Sequence, residues 1–315
     1  MIPINPTIFF VSFITCFIVM GFLIKKFKEK GIVVPDMYKK GKPKIPNLGG
    51  LGILFGVLAG LIVAQLLIHD VKNLLIFYFV VLTFAIFTLT DDLIDLRRKL
   101  KIFIPFFLAL PIALLNVDTS FSFFFFSIEL GVFFTYIIAP LYLMVVANLI
   151  NMHSGFNGLQ TGLSSILLIT IAIKVIMNYG WQTTYFIMPI LGAVLAFWYF
   201  DRYPSKIFLG NVGSYTIGPA IGGLLILNNM ETFGVVILIP HIINFLSAFW
   251  QEVVKNNWLK TQLFAKLRDD KTIEPPLFFT LKWFPAYFFR LTEKQLTYIM
   301  YLITGFFCLI GLLFF

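Results

Sequence analysis

Of the 24 Lys and Arg residues in this 315-residue chain, 22 fall in one alternate set of the segments that separate its apolar runs. Ten such runs can be drawn, at 7–24, 49–68, 74–90, 102–116, 131–149, 160–177, 184–199, 212–229, 233–254 and 296–315. The segments 25–48, 91–101, 150–159, 200–211 and 255–295 make up the basic set, and only Lys72 and Lys174 lie outside it. A helix needs about 20 mostly apolar residues to cross a bilayer, and cytoplasmic loops collect Lys and Arg. The split therefore predicts an all-α, polytopic integral membrane protein of about ten transmembrane helices. Both termini are expected outside, with the five basic segments in the cytoplasm. Composition agrees, because 59% of residues are hydrophobic and 12% charged, where a soluble domain carries about 25% charge. Residues 1–315 read as one transmembrane domain, with the first apolar run as a span and not a cleaved leader. Cys16 and Cys308 sit in apolar runs and imply neither disulfide nor zinc site.

Chemistry-bearing residues gather in the same basic segments. Asp91, Asp92 and Asp95 follow the third run and precede Arg97, Arg98, Lys99 and Lys101. On a continued helix Asp91 and Asp95 share a face, so three carboxylates crowd together unless a cation separates them. Mg2+ held jointly with substrate phosphates satisfies that geometry. A self-neutralising surface cluster is the plain alternative. The stretch Asn148 to Gln160 holds three Asn and two Gly with no charge. Asn offers both donor and acceptor, as a nucleobase or a metal site requires, and glycine permits close backbone approach. An ordinary loop would look similar, and His153 reads as a loop hydrogen-bonder. Phe208-Leu209-Gly210-Asn211 opens the eighth run, where a helix N-terminus can hold an anion and Asn211 can cap it. The first basic segment, with Lys39 among lysines spaced by Pro and Gly, suits phosphate, and the placement of basic residues on the cytoplasmic side explains it equally well. The long segment 255–295 carries two apolar stretches, Trp258–Leu267 and Leu277–Phe289, too short to span and expected to lie along the interface or to re-enter. The aromatic run Phe121–Phe126 is expected at the opposite interface.

Taken together and in this order, the four motifs resemble the polyprenyl-phosphate N-acetylhexosamine-1-phosphate transferase family over nearly the whole chain. The Asn-rich stretch looks most like the dolichyl-phosphate branch of eukaryotes and archaea, whose N-x-x-N-x-x-x-G-x-N-G pattern maps onto Asn148, Asn151, Gly155, Asn157 and Gly158. The resemblance implies transfer of N-acetylglucosamine-1-phosphate, or a related sugar-1-phosphate, from a UDP-sugar to a polyprenyl or dolichyl phosphate, releasing UMP. That is a first membrane step of N-glycan or cell-envelope glycan assembly. It implies Mg2+, with Mn2+ as substitute, and an active site facing the cytoplasm at the cell membrane. Asp91, Asp92, Lys101 and Arg268 would be catalytic, with Arg290 as the alternative to Arg268. Asn148, Gly155, Asn157, Phe208 and Lys39 would bind substrate, with Asn157 reading uracil and Phe208 stacking on it. Asn151 and Asn211 would hold the metal. Two departures stand out: Asn211 replaces the family's Asp, and the last basic segment has no His. The partners implied are the donor, the lipid acceptor and the bilayer, with no nucleic acid, and a homodimer fits the family. A transporter or lipid flippase is the rival class, but transporters place ionisable groups near the bilayer midplane and show internal repeats, and here no acidic residue lies deep in a run and no repeat is evident.

Overall fold

A computed structural model describes residues 3–68, 71–115, 117–123, 126–255, 265–276 and 279–315. In chain order it runs α1 (Ile4–Glu29), the hairpin β1 (Val33–Pro35) and β2 (Lys44–Pro46), α2 (Gly50–Leu67), α3 (Lys72–Ile94) and α4 (Arg98–Ala109). The hairpin β3 (Ser120–Phe123) and β4 (Phe126–Glu129) leads through a π-helical turn into α5 (Ala139–Met152). Then follow α6 (Leu159–Tyr179), α7 (Met188–Asp201), α8 (Gly210–Leu227), α9 (Glu231–Ile237) and α10 (Ile239–Lys255). A two-residue hairpin, β5 (Lys266–Leu267) and β6 (Ile273–Glu274), precedes α11 (Phe284–Phe288) and α12 (Glu293–Phe314). The chain is an all-α polytopic membrane protein, with three small antiparallel hairpins among the described residues.

Six of the described helices, α1, α2, α3, α5 with its π turn, α6 and α12, are long and apolar enough to cross a membrane. The expected ten runs are all present as helical segments, but not all as spans of full length. The run at 233–254 is two helices meeting at 68°. Pro240 explains the break, since it has no N–H for the helical ladder and its ring crowds the preceding turn. The run at 102–116 is α4 with Pro105 inside it, continued by a 3-10 turn to Leu114. α7 begins only after a 3-10 turn over Trp181–Phe186. α8 is rich in glycine and almost wholly buried, so it meets protein where the outer helices meet lipid. Of the aromatic run at 121–126, residues 121–123 and 126 belong to the β3–β4 hairpin. The stretch expected along the interface at Trp258–Leu267 lies mostly outside the described residues, as do 277–278 of its companion.

Polarity is arranged for a lipid solvent. α1 presents Phe10, Ile14, Ile18 and Phe22 outward, and α12 presents Leu302, Phe306, Leu309 and Leu313. The inward faces carry small residues. On α2, a Cβ added at Gly52, Gly56 or Gly60 would strike Met20, the carbonyl of Ser12 or Pro189. In hydrocarbon the hydrophobic effect does not press helices together, so close van der Waals packing and interhelical hydrogen bonds must. The Ser12 hydroxyl supplies one, lying 2.7 Å from the Gly56 carbonyl and 2.5 Å from that of Pro189. At the basic end a second, smaller core joins Tyr38, Phe156, Ile273, Trp283, Leu296 and Met300. It ties the first, Asn-rich and last basic segments into one cap.

Candidate active site

The cap encloses a cavity of about 240 Å3 lined by three of the four motifs. Asp36 and Tyr38 come from the first basic segment, Asn151, Gly155 and Asn157 from the Asn-rich stretch, and Phe208, Gly210 and Asn211 from the start of α8. Backbone contacts explain the convergence. The Phe208 N–H donates to the Pro46 carbonyl at 2.8 Å, and the N–H groups of Gly49 and Gly50 donate to the carbonyls of Phe208 and Leu209 at 2.9 and 2.8 Å. Gly50 faces Gly213 so closely that an added Cβ would lie 2.1 Å from its nitrogen. Two glycines at this crossing let the Phe208 turn dock on the first basic segment. Gly155, at φ +107°, turns the Asn-rich stretch back toward α6.

Asp92 reaches this site through Asn211. The Asn211 amide donates to the Asp92 carboxylate at 2.7 Å, on the exposed rim. Asn211 therefore does not cap α8 as expected; the helix starts one residue earlier, at Gly210, and no side chain caps it. Its amide points across to α3 because the helix start, one residue early, carries it past the capping position. Asp91 instead accepts the Leu96 N–H at 2.9 Å and closes the turn that leaves α3. Lys101 follows on α4 with its side chain outside the described residues.

Behind the cavity lies a buried polar wall. The Asn157 oxygen accepts from the Lys39 ammonium at 3.1 Å and from the Ser205 N–H at 2.9 Å. Its amide nitrogen donates to Asp36 at 3.2 Å, and its backbone N–H to Glu293 at 2.7 Å. Lys39 bridges Asp36, at 3.3 Å, and Glu293. Both acceptor positions of the Asn157 side chain are thus filled, and one N–H remains for a ligand. Lys39 is a structural cation between two carboxylates, and the expected phosphate contact falls away for that reason. Asn148 likewise lies off the cavity, donating to the Met144 carbonyl at 2.8 Å and accepting from the Tyr215 hydroxyl at 3.0 Å. Arg268 is also not brought to the cavity. Its guanidinium donates to the Ile273 carbonyl at 2.8 Å and holds the β5–β6 hairpin, while Arg290 faces Asp270 at 3.6 Å.

The last basic segment meets two cavity-lining residues, Ser154 and Gly155, through Lys282, which the sequence motifs do not single out. Its ammonium donates to the Ser154 carbonyl at 2.6 Å, and an added Cβ on Gly155 would come within 2.9 Å of it. The rings of Trp283 and Phe156 lie 5.2 and 5.9 Å away. No carboxylate pairs with it among the described residues. Burial draws its pKa down to about 8. The signal was a single lysine inside an apolar stretch, Leu281-Lys282-Trp283. His153 is no hydrogen-bonder: both ring nitrogens are buried without a partner among the described residues, against His241 at 4.6 Å between ring centroids. Burial, with His241 and Lys282 nearby, holds its pKa well below the usual histidine range, so it is neutral near pH 7.

Oxygen donors for a hard cation are present. The Asn151 side chain lines the cavity with no hydrogen bond among the described residues. Asn211 spends its amide nitrogen on Asp92, which leaves its oxygen for the cavity. Two neutral oxygens beside one carboxylate suit Mg2+, which keeps several waters or phosphate oxygens in its shell.

Residues 74–229 match the family model described as glycosyl transferase family 4. A Saccharolobus solfataricus protein with the provisional name UDP-N-acetylglucosamine–dolichyl-phosphate N-acetylglucosaminephosphotransferase is 34% identical over 243 residues, covering 75% of each chain. Its namesake from Sulfolobus acidocaldarius is 31% identical over 248 residues, again 75% of each. A Bacillus subtilis protein provisionally named undecaprenyl-phosphate N-acetylglucosaminyl 1-phosphate transferase is 29% identical over 73% of this chain and 65% of its own.

Proposed function

The chain belongs to glycosyl transferase family 4, among the polyprenyl-phosphate N-acetylhexosamine-1-phosphate transferases, and from that premise we propose that it carries N-acetylglucosamine-1-phosphate from its UDP conjugate to a dolichyl or other polyprenyl phosphate. It is a membrane-embedded sugar-phosphate transferase. One observation carries the finer reading: Asn151, Gly155, Phe208 and Asn211 line one cavity at the basic end of the helices, and Asp92 is hydrogen-bonded to Asn211. The charge split supports a cytoplasmic face for that end. UMP release that needs both a UDP-sugar and a polyprenyl phosphate tests the reading, and a donor screen identifies the sugar. Release of UMP without the lipid, or none with any donor, contradicts it. The relatives lend nothing to a transport function.

An oxygen of the lipid phosphate attacks the phosphorus that bears the sugar. The bond from that phosphorus to the bridging oxygen breaks, and the bridging oxygen leaves with UMP. The nucleophile is already anionic, so the protein's task is positioning and charge neutralisation. Phe208 stacks on the base, Asn157 offers its remaining N–H, and Gly155 leaves room for the uridine. Lys282 takes the charge-offsetting role expected of Arg268. Mg2+, held by Asn151 and Asn211 beside Asp92, would neutralise the diphosphate.

Three expectations follow from these roles. Phe208→Ala should weaken UDP-sugar binding about tenfold, as loss of stacking worth about 1–3 kcal/mol requires. The KM for the lipid phosphate should hardly move; equal losses for both substrates would make Phe208 a packing residue. UDP-sugar affinity should fall as pH rises through about 8, where Lys282 sheds its proton. Lys282→Arg should flatten that profile, and a flat profile in the native protein would exclude the ammonium from donor binding. Asn211→Asp should lower the Mg2+ concentration for half-maximal activity, since hard cations prefer anionic oxygen. Direct Mg2+ binding by calorimetry should tighten in parallel. Unchanged metal dependence would remove residue 211 from the metal's shell.

A further inference from the structure

A second depression, of about 340 Å3, lies between the end of α7 and the start of α12. Arg202, Lys206 and Lys294 line it, all three exposed. None of them meets a carboxylate among the described residues. They rest on ring faces instead: Arg202 and Lys206 lie 4.8 and 5.1 Å from the Tyr199 ring, and Lys294 5.8 Å from Tyr298. The nearby carboxylates are already committed. Asp201 accepts the Thr161 hydroxyl at 2.6 Å, and Glu293 accepts from Lys39 and the Asn157 N–H. Three positive charges thus share one cavity with nothing to balance them, which makes it a site for an anion.

The surroundings select the anion's carrier. Lys294, Tyr298, Leu302 and Phe306 succeed one another at four-residue spacing, so they form one stripe down α12. Tyr298, Leu302 and Phe306 are 51%, 74% and 59% exposed. The stripe runs from cation through interfacial aromatic to bare hydrocarbon, the order of headgroup, interface and acyl chain. Tyr199, 40% exposed, flanks the cavity from α7. A soluble anion would use the cations and leave the apolar stripe unexplained. The lipid acceptor is disfavoured, because the wall of Asp36, Lys39, Glu293 and Asn157 stands between this depression and the reaction cavity.

We propose that this depression binds the phosphate headgroup of an anionic phospholipid, whose chain lies along the outer face of α12. The site is distinct from the reaction cavity and shares only Asn157 with it. A cation near a charged membrane surface contributes about fivefold in affinity each.

The test is native mass spectrometry of the full chain in mild detergent, with phosphatidylglycerol, phosphatidylcholine, polyprenyl phosphate and inorganic phosphate as separate probes. The native chain should retain phosphatidylglycerol about tenfold or more over phosphatidylcholine. The R202Q/K206Q/K294Q variant should lose that preference. Lys294→Gln alone, an exposed change that spares the fold, should reduce it about fivefold. Inorganic phosphate in millimolar excess should not displace the lipid. An undiminished preference in both variants overturns the proposal. So does displacement by inorganic phosphate alone, which would mark a free-anion site. Loss of polyprenyl phosphate retention in the variants, with phosphatidylglycerol unaffected, would assign the depression to the acceptor and overturn it as well.

Discussion

Asp92→Asn should cut turnover by about two to three orders of magnitude, the range that follows removal of one preorganised electrostatic group from a transfer site. The substitution is close to a pure charge deletion. Asn keeps an oxygen that can accept the Asn211 amide proton, so the 2.7 Å link across the rim survives. Asp92 lies on the exposed rim and not in a packed core. Surface changes of this kind stay within about 0.5 kcal/mol of native stability. The melting temperature should therefore shift by no more than about 2 °C. Turnover and thermal unfolding measured on the same preparation separate the two effects. Native turnover in the variant would return the aspartate cluster to a surface role.

Lys39→Met should have the largest effect on stability. Lys39 is 16% exposed, and its partners Asp36 and Glu293 are 4% and 2% exposed. Methionine fills the space but leaves two carboxylates facing each other with no cation. Breaking a buried pair this way costs about 3–5 kcal/mol, because the orphaned charge keeps its desolvation penalty. The unfolding midpoint should fall by about 10 °C or more. Adding Glu293→Gln removes one of the two stranded charges and should recover part of the loss, a coupling that a double-mutant cycle reads directly. Additive losses would mean that Lys39 and Glu293 do not act as a pair. The wall also holds Asn157, so activity should fall with stability in Lys39→Met and return with it in the double variant.

The contrast between these two residues shows how far a sequence of this kind can be read. Apolar runs reveal the membrane-embedded, all-α architecture, because a lipid solvent acts on composition directly. The bend at Pro240 was legible in the same way and was passed over inside an apolar run. Asn151, Gly155, Phe208 and Asp92 stand out in the sequence because each lies in a local pattern of unusual polarity. Lys39 was misassigned to phosphate because its partner Glu293 lies 254 positions away, and only the folded cap joins them. Asn157 keeps only one N–H for a ligand, because Asp36, Lys39 and Ser205, all distant in sequence, take the rest of its side-chain hydrogen-bonding capacity. Arg268 looked like the cation for the diphosphate because it is a basic residue of the last segment. The β5–β6 hairpin uses it, and Lys282, half hidden in an apolar stretch, packs against the Asn-rich stretch at Ser154 instead.

The proposed reaction stands on which bond breaks, and a phosphorus label reads that directly. UDP-N-acetylglucosamine labelled on the sugar-bearing phosphate is incubated with dolichyl phosphate and the full chain in liposomes. The label should appear in the lipid product together with the sugar, as a lipid diphosphate, and the nucleotide released should be unlabelled UMP. Labelled UDP in solution, with sugar alone on the lipid, would contradict the account.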